Sequence, residues 1–279
     1  MFKKLRKEIE KNRNSKNIFW RISVKLKDFV WRFTHPKILI RPTIEWNRCW
    51  NNYNWEKNGD EWDEQAVFCN QPYHKWKNSI VENFIHKNIN RESNVLEIGP
   101  GHGRWTEFIL KKAKKLILVD LNPKCIEFCK NKFSKFNNIG YYVNDSKTLN
   151  FIEDNSIDFI WSYDSFVHME KKVISNYFKE FSRVLKPKGK AIVHHPGEKG
   201  LRFIILLRKL GKIGGIIYNI LCLKKTNIRG EVSGISKKMI KKMALKNNLI
   251  IEYQTDSWGK NKEYNCKLCK DCISELTRQ

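Results

Sequence analysis

Between residues 94 and 104 the chain reads NVLEIGPGHGR, and these residue types at this spacing have a narrow chemistry. Glycines at 99, 101 and 103 let a backbone turn tightly and approach a ligand, because glycine enters left-handed conformations at no steric cost. Glu97 puts a carboxylate directly ahead of that turn. Asp120 closes the next apolar run, LILVD, at the distance where an acid accepts hydrogen bonds from two ribose hydroxyls. The pattern predicts a nucleoside-bearing cofactor. A dinucleotide asks for G-x-G-x-x-G with its pyrophosphate at a helix N-terminus. This chain has G-x-G-x-G, Arg104 stands where the last fingerprint glycine belongs, and Glu97 would oppose a phosphate pair. S-adenosylmethionine has no phosphate and offers two cations, a sulfonium and an ammonium, that an acid can help hold. The turn fits that ligand better.

Methyl transfer from a sulfonium is an in-line displacement, and holding the nucleophile within about 3–3.5 Å of the methyl carbon supplies much of its rate. An oxygen nucleophile also needs its proton removed, a task suited to histidine near neutral pH. His168, His194 and His195 lie at the carboxyl ends of the fourth and fifth predicted strands. Neighbouring strand residues face opposite ways, so at most one of the adjacent pair enters a pocket directly. His168 is expected as the base, with His195 as a substrate contact or alternate base. Asp164 and these histidines could also hold a divalent metal, but the ligands are scattered and no metal is assigned. Cys266, Cys269 and Cys272 form C-x-x-C-x-x-C, one thiol short of a closed zinc site. Cys125 and Cys129 share a helix face and are expected to pack the core.

The elements that must position these groups alternate along the chain. Apolar runs NVLEI (94–98), LILVD (116–120), IGYYV (139–143), IDFIWS (157–162), KAIVHH (190–195) and LIIEYQ (249–254) predict strands. Helical spacing predicts helices over 75–88 and near 103–114, 122–133, 171–186 and 235–246. On the first of these Trp76, Ile80, Val81, Phe84 and Ile85 share a face. Such alternation argues for a mostly parallel central sheet with helices on both faces. SKTLNFIEDNS and LKPKGK are read as turn-rich connections, and the aromatic segment 46–62 as a packed cap or loop.

With those motifs in order, the chain resembles the class I S-adenosylmethionine-dependent methyltransferases. VLEIGPGHG, VDLNP, VND, DFIWSYDSFVHM and RVLKPKGKAIVHH follow one another as in that family, strongly over 75–195 and more weakly over 231–278. KDCISELT resembles the family's last strand. YNWEKNGDEWDE, LVDLNPKCIEFC and IVHHPG are further similar to bacterial methyltransferases of glycan and polysaccharide assembly. The resemblance implies a Rossmann-like fold with S-adenosyl-L-methionine as cofactor. It implies Glu97, Gly99, Gly101 and Gly103 along the methionine and ribose portion, and Asp120 with Leu121 at the ribose. It implies Asn144 and Asp145 at the adenine and Ser162 at the methionine end. A small-molecule or glycan acceptor is expected, methylated on oxygen, and the basic apolar segment LRFIILLRKLGKIGGIIYNILCLKK adds a lipid-linked version in which it would be a lid.

Charge adds a partner question. The 279 residues carry a formal net charge of +25. Residues 1–45 hold 13 Lys/Arg against 4 Asp/Glu, and residues 198–230 hold 8 against 1. Over 1–38, Phe19, Ile22, Leu26, Phe29, Val30 and Phe33 recur at helical spacing among basic residues, as in an interfacial helix. Domain organisation is therefore expected as a basic amphipathic extension (1–45) and a methyltransferase domain (46–279) with a basic apolar insertion at 198–230. Peripheral contact with an anionic membrane through 1–38 and 201–225 is one expectation. Nucleic acid is the weaker one, because strand four runs into SYDSFVHM rather than the Asn/Asp-Pro-Pro-aromatic motif of enzymes acting on flipped bases. A non-catalytic binding module is a third reading. No apolar run reaches the roughly 20 residues that span a bilayer, and no signal peptide is read at the N-terminus. With eight cysteines and no secretion signal, a cytoplasmic location with reduced thiols is expected.

Overall fold

The computed structural model describes residues 43–52, 63–145, 148–197, 206–207, 209–221, 235–267 and 271–279. The amphipathic pattern of 1–38, residues 59–62 of the acidic stretch GDEWDE, Cys269 and most of 198–230 lie outside the described residues. The described residues divide between two units. Residues 206–207 and 209–221 belong to one, and all others to the second.

The larger unit is built on a seven-stranded sheet of order β3-β2-β1-β4-β5-β9-β6. Its strands are β1 (Asn94–Ile98), β2 (Lys115–Asp120), β3 (Ile139–Val143), β4 (Ile157–Ser162), β5 (Leu185–Pro196), β6 (Leu249–Thr255) and β9 (Asp271–Arg278). Two-residue strands β7 (Ser257–Trp258) and β8 (Tyr264–Asn265) pair apart from it. Strands β1 to β5 run parallel, and β9 runs antiparallel to both β5 and β6. Strand order reverses at β1 and β4, where an open sheet leaves a crevice at the strands' carboxyl ends.

The apolar runs are continuous rather than alternating because both faces of these strands are covered. Successive residues feed two different cores. Val95, Leu118, Phe159 and Ile192 enter one, while Leu96, Val119, Ile160 and Val193 enter the other. The first core is closed by α3 (Tyr73–Ile80) and the turn-and-a-half continuing it to His86, whose Trp76, Ile80, Val81, Phe84 and Ile85 are buried as their spacing predicts. The second is closed by α6 (Lys171–Val184), burying Val173, Ile174, Tyr177, Phe178, Phe181 and Val184, and by α8 (Lys237–Lys246). Short helices α1 (Ile44–Asn47), α2 (Asp63–Phe68), α4 (Thr106–Leu110) and α5 (Pro123–Lys132) complete this unit, and α7 (Gly211–Leu221) lies in the other.

Two elements differ from their sequence reading. LKPKGK is no separate connection but part of β5: Lys188 adopts φ 62°, and the pairing jumps from Ile157↔Leu185 to Phe159↔Lys190. A Cβ on Gly189 would lie 2.8 Å from the Lys186 carbonyl oxygen, so the bulge needs glycine there. The helix expected over 103–114 is only Thr106–Leu110, because positive φ angles at Gly99, Gly101 and Gly103 hold the preceding chain out of helical conformation.

Candidate cofactor site

The glycine turn is set by three left-handed residues, Gly99 (φ 71°), Gly101 (φ 56°) and Gly103 (φ 73°). Its amides tie it to the end of β2. Gly99 N–H donates to the Val119 carbonyl at 2.8 Å, and Gly101 N–H donates to Asp120 Oδ2 at 3.2 Å. Space forbids side chains as firmly as φ does. A Cβ on Gly99 would stand 2.4 Å from Ser165 Oγ, and one on Gly103 would stand 2.4 Å from the Phe133 ring. The Cys129 thiol, expected only to pack, donates to the Gly101 carbonyl at 3.3 Å and steadies the turn from α5.

The two acids differ in their engagement. Asp120 accepts from Gly101 N–H and from Asn122 N–H (2.8 Å, to Oδ1), while burial pushes its carboxyl up to about 6 against those bonds. Glu97 is 1% exposed, and its Oε2 accepts from the Thr106 hydroxyl at 2.6 Å. Its other oxygen, Oε1, is buried with no partner. Burial first, and the nearby Asp120 charge to a lesser degree, push Glu97 up to about 8. A buried acid with one empty oxygen is a costly arrangement unless a cation or donor completes it.

Gly99, Gly101, Asp120, Leu121 and His168 line one cleft, as the sequence predicts of a shared site. Glu97 and Gly103 stand behind that lining, the latter packed on Phe133. Asn144 is buried outside the lining, where its N–H donates to the Asp120 carbonyl at 2.9 Å and its Nδ2 to the Thr148 carbonyl at 2.5 Å. It ties the end of β2 to the chain after β3. Asp145 is exposed and also outside the lining, next to residues 146–147 that are not described. Ser162 is fully buried, stands outside the cleft lining and donates to the Ile98 carbonyl at 2.9 Å, fastening β4 to the end of β1.

The histidines separate clearly. His168 ends a single helical turn after β4 (Phe166–His168), lines the cleft, and has Nε2 4.0 Å from Asp164 Oδ1. His195 corrects its expected role. It is fully buried, its Nδ1 faces the Pro196 carbonyl at 2.8 Å and its Nε2 faces Ser274 Oγ at 2.6 Å. The carbonyl only accepts, so Nδ1 carries the proton and Nε2 accepts from the Ser274 hydroxyl. Both nitrogens are spent, and burial pushes the imidazole down to about 4. The cause is β9, which covers the β5 end by pairing Cys272 with His195. His194 is equally buried on the opposite face: its Nδ1 accepts from Asp164 N–H at 3.3 Å, and its ring stacks on Tyr163 at 4.2 Å. Its Nε2 lies 3.6 Å from Asp271 Oδ2. Among the described residues no group of three or more His, Cys, Asp or Glu is placed to hold a metal ion. The Cys266 and Cys272 thiols donate to the backbone carbonyls of Asp256 and Ile273.

Sequence reasoning missed the far wall. Ile44 comes from the end of the stretch read as a basic extension, Asn47 from the segment read as an aromatic cap, and Asn122 and Ser165 from loops. The asparagines of WNRCWNN are what tie this segment down. Asn47 Nδ2 donates to the His168 carbonyl at 2.5 Å, and Asn51 Oδ1 accepts from Lys124 N–H at 3.0 Å.

Comparison with known proteins agrees with this geometry. Residues 95–189 match the family model described as a methyltransferase domain. A probable ribosomal RNA small subunit methyltransferase A of Methanosarcina barkeri is 33% identical over 85 residues, 30% of this chain and 30% of that protein. The chain spans less than a third of the first curated relatives it matches. A putative sarcosine dimethylglycine methyltransferase from Galdieria sulphuraria superimposes with a TM-score of 0.53 at 17% identity, covering 81% of this chain and 91% of that one. Geranyl diphosphate C-methyltransferase from Streptomyces coelicolor A3(2), solved with Mg2+, geranyl diphosphate and S-adenosyl-L-homocysteine, gives 0.54 at 12% identity, covering 83% and 96%. Residues 95–189 thus match a methyltransferase domain, and the fold is the Rossmann-like one of S-adenosylmethionine-dependent methyltransferases. The residues present fit that cofactor, since the one unpartnered oxygen of Glu97 is an acceptor awaiting a cation or donor behind a turn stripped of side chains.

Proposed function

We propose that the protein methylates an oxygen of a small-molecule or glycan acceptor, with His168 as general base. The observation carrying this is the placement of His168: its imidazole lines the same cleft as Gly99 and Asp120, with Asp164 Oδ1 4.0 Å from Nε2. S-adenosylmethionine supplies the chemistry of an activated methyl group on a good leaving group. The chain supplies the rest. Glu97 and Asp120 orient, the left-handed glycines admit close approach, and His168 Nε2 takes the acceptor's proton. Asp164 stabilises the imidazolium that results. The test is tritiated methyl transfer to fractionated lipid-linked glycans, soluble metabolites and RNA. Expected is label in one of the first two fractions, falling about 10²–10⁴-fold in His168→Ala while cofactor affinity is kept. Label in RNA alone would instead support a ribosomal-RNA acceptor, the second reading, which rests on the names of the curated relatives and the basic charge.

We further propose a cytoplasmic protein that meets an anionic membrane. Leu206, Leu210 and Ile213 are 55%, 48% and 65% exposed, with exposed Lys209 and Lys212 between them, on either side of the break at Gly211 (φ 56°) that starts α7. Large apolar groups flanked by lysines are what an interfacial helix presents to lipid. No described helix is long and apolar enough to cross a membrane.

A further inference from the structure

Asn47 and Asn122 each carry an amide whose orientation is fixed by what its nitrogen faces. Asn47 Nδ2 donates to the His168 carbonyl at 2.5 Å, and Asn122 Nδ2 donates to the Asn47 backbone carbonyl at 3.4 Å. Backbone carbonyls only accept, so neither amide can turn over without losing its bond. Each side-chain oxygen therefore points elsewhere, and both are buried without a partner. Both residues line the cleft. A buried amide oxygen left unpaired is costly, and two in one ligand cleft mark where donors belong.

The anchoring of each residue says which donors. Asn122 N–H donates to Asp120 Oδ1 at 2.8 Å, so this amide is joined to the ribose acid itself. Asn47 sits on residues 44–52, which are also held at α5. Asn51 Oδ1 accepts from Lys124 N–H at 3.0 Å, and Asn52 Oδ1 accepts from Lys124 Nζ at 2.8 Å. The segment thus runs from the turn after β4 to the start of α5, across the ribose side of the cleft. Neutral carbonyls suit hydroxyl donors, whereas the buried acid Glu97 suits the cation.

We propose that Asn47 and Asn122 are cofactor-holding residues whose side-chain oxygens, with Asp120, accept the ribose hydroxyls of S-adenosylmethionine, and that residues 44–52 clamp the bound nucleoside. This rests on the cofactor reading of the cleft. Calorimetry on the full chain with S-adenosylhomocysteine and with 5′-methylthioadenosine, which keeps the ribose but lacks the amino acid, tests it. Asn47→Ala and Asn122→Ala should each weaken both ligands about 5- to 20-fold. Unchanged affinity in both variants overturns the proposal, and so does a loss confined to S-adenosylhomocysteine, which would make the ammonium the donor. Circular dichroism checks the fold, and Asn47→Ser and Asn122→Ser replace any alanine variant that unfolds. Wild-type protein that binds neither ligand refutes the cofactor reading itself, a result distinct from wild type binding and the variants binding alike.

Discussion

Glu97 keeps its proton more tightly in the folded chain than out of it, with burial raising its carboxyl from 4.5 to about 8. For an acid shifted upward, stability is full below the unfolded value and is lost as pH rises toward the folded one. The free protein should therefore lose stability between about pH 4.5 and 8, by about 5 kcal/mol at the upper limit. Asp120, raised from 3.8 to about 6, adds a smaller loss at the acid end of that window. Glu97→Gln removes the larger part. Melting temperatures should match wild type near pH 4.5 and exceed it increasingly toward pH 8, whereas parallel curves would show that Glu97 is ionised when buried. The same variant should bind S-adenosylhomocysteine more weakly at pH 8, where wild type offers a carboxylate to the ammonium. These residues were legible because a carboxylate, three glycines and a second acid at fixed spacing have few other uses. Ser162 and Asn144 were not. Their types suit ligand contacts and backbone ties equally, and only geometry shows the Ile98 and Thr148 carbonyls taking their donors.

At the scale of elements, the glycine turn and α5 are fitted as one piece. Gly103 meets the Phe133 ring and Gly101 receives the Cys129 thiol, so the ligand turn is shaped by the helix behind it. Gly103→Ala should destabilise by about 2–4 kcal/mol, combining left-handed backbone cost with a clash against Phe133. Chemical denaturation measures it. Adding Phe133→Leu should recover the steric part and leave about 1–2 kcal/mol of backbone strain. If the double variant is no better than the single one, packing against Phe133 is not what demands glycine. Strand and helix positions were legible because each central run is apolar on both faces and each helix has a stripe. The segment 44–52 was not, since one short turn has no period to read and its ties to His168 and Lys124 span 121 and 73 residues.

At the scale of the molecule, the charge and the exposed apolar face of residues 206–213 make one prediction. Wild-type protein should sediment with vesicles containing phosphatidylserine and not with neutral phosphatidylcholine vesicles, since each lysine near an anionic surface contributes about 1 kcal/mol. Leu210→Glu with Ile213→Glu should abolish sedimentation while leaving S-adenosylhomocysteine affinity unchanged. Retained sedimentation would clear this face of the role. The excess of positive charge was legible at once, but its use was not, because lipid and nucleic acid answer to the same cations. His195 shows the matching limit for the fold. Its place at a strand's carboxyl end pointed to the cleft, and only the return of β9 between β5 and β6 removes it.

That return has a price in assembly. Because β9 lies inside the sheet and not at its margin, β6 has no partner and β5, paired with β4 on one side, keeps its other edge open until residues 271–278 slot between them. Every intermediate lacking this piece bares two rows of unpaired amides and carbonyls, each ready to recruit a second chain. The interval before the gap is filled is when this protein is most open to self-association.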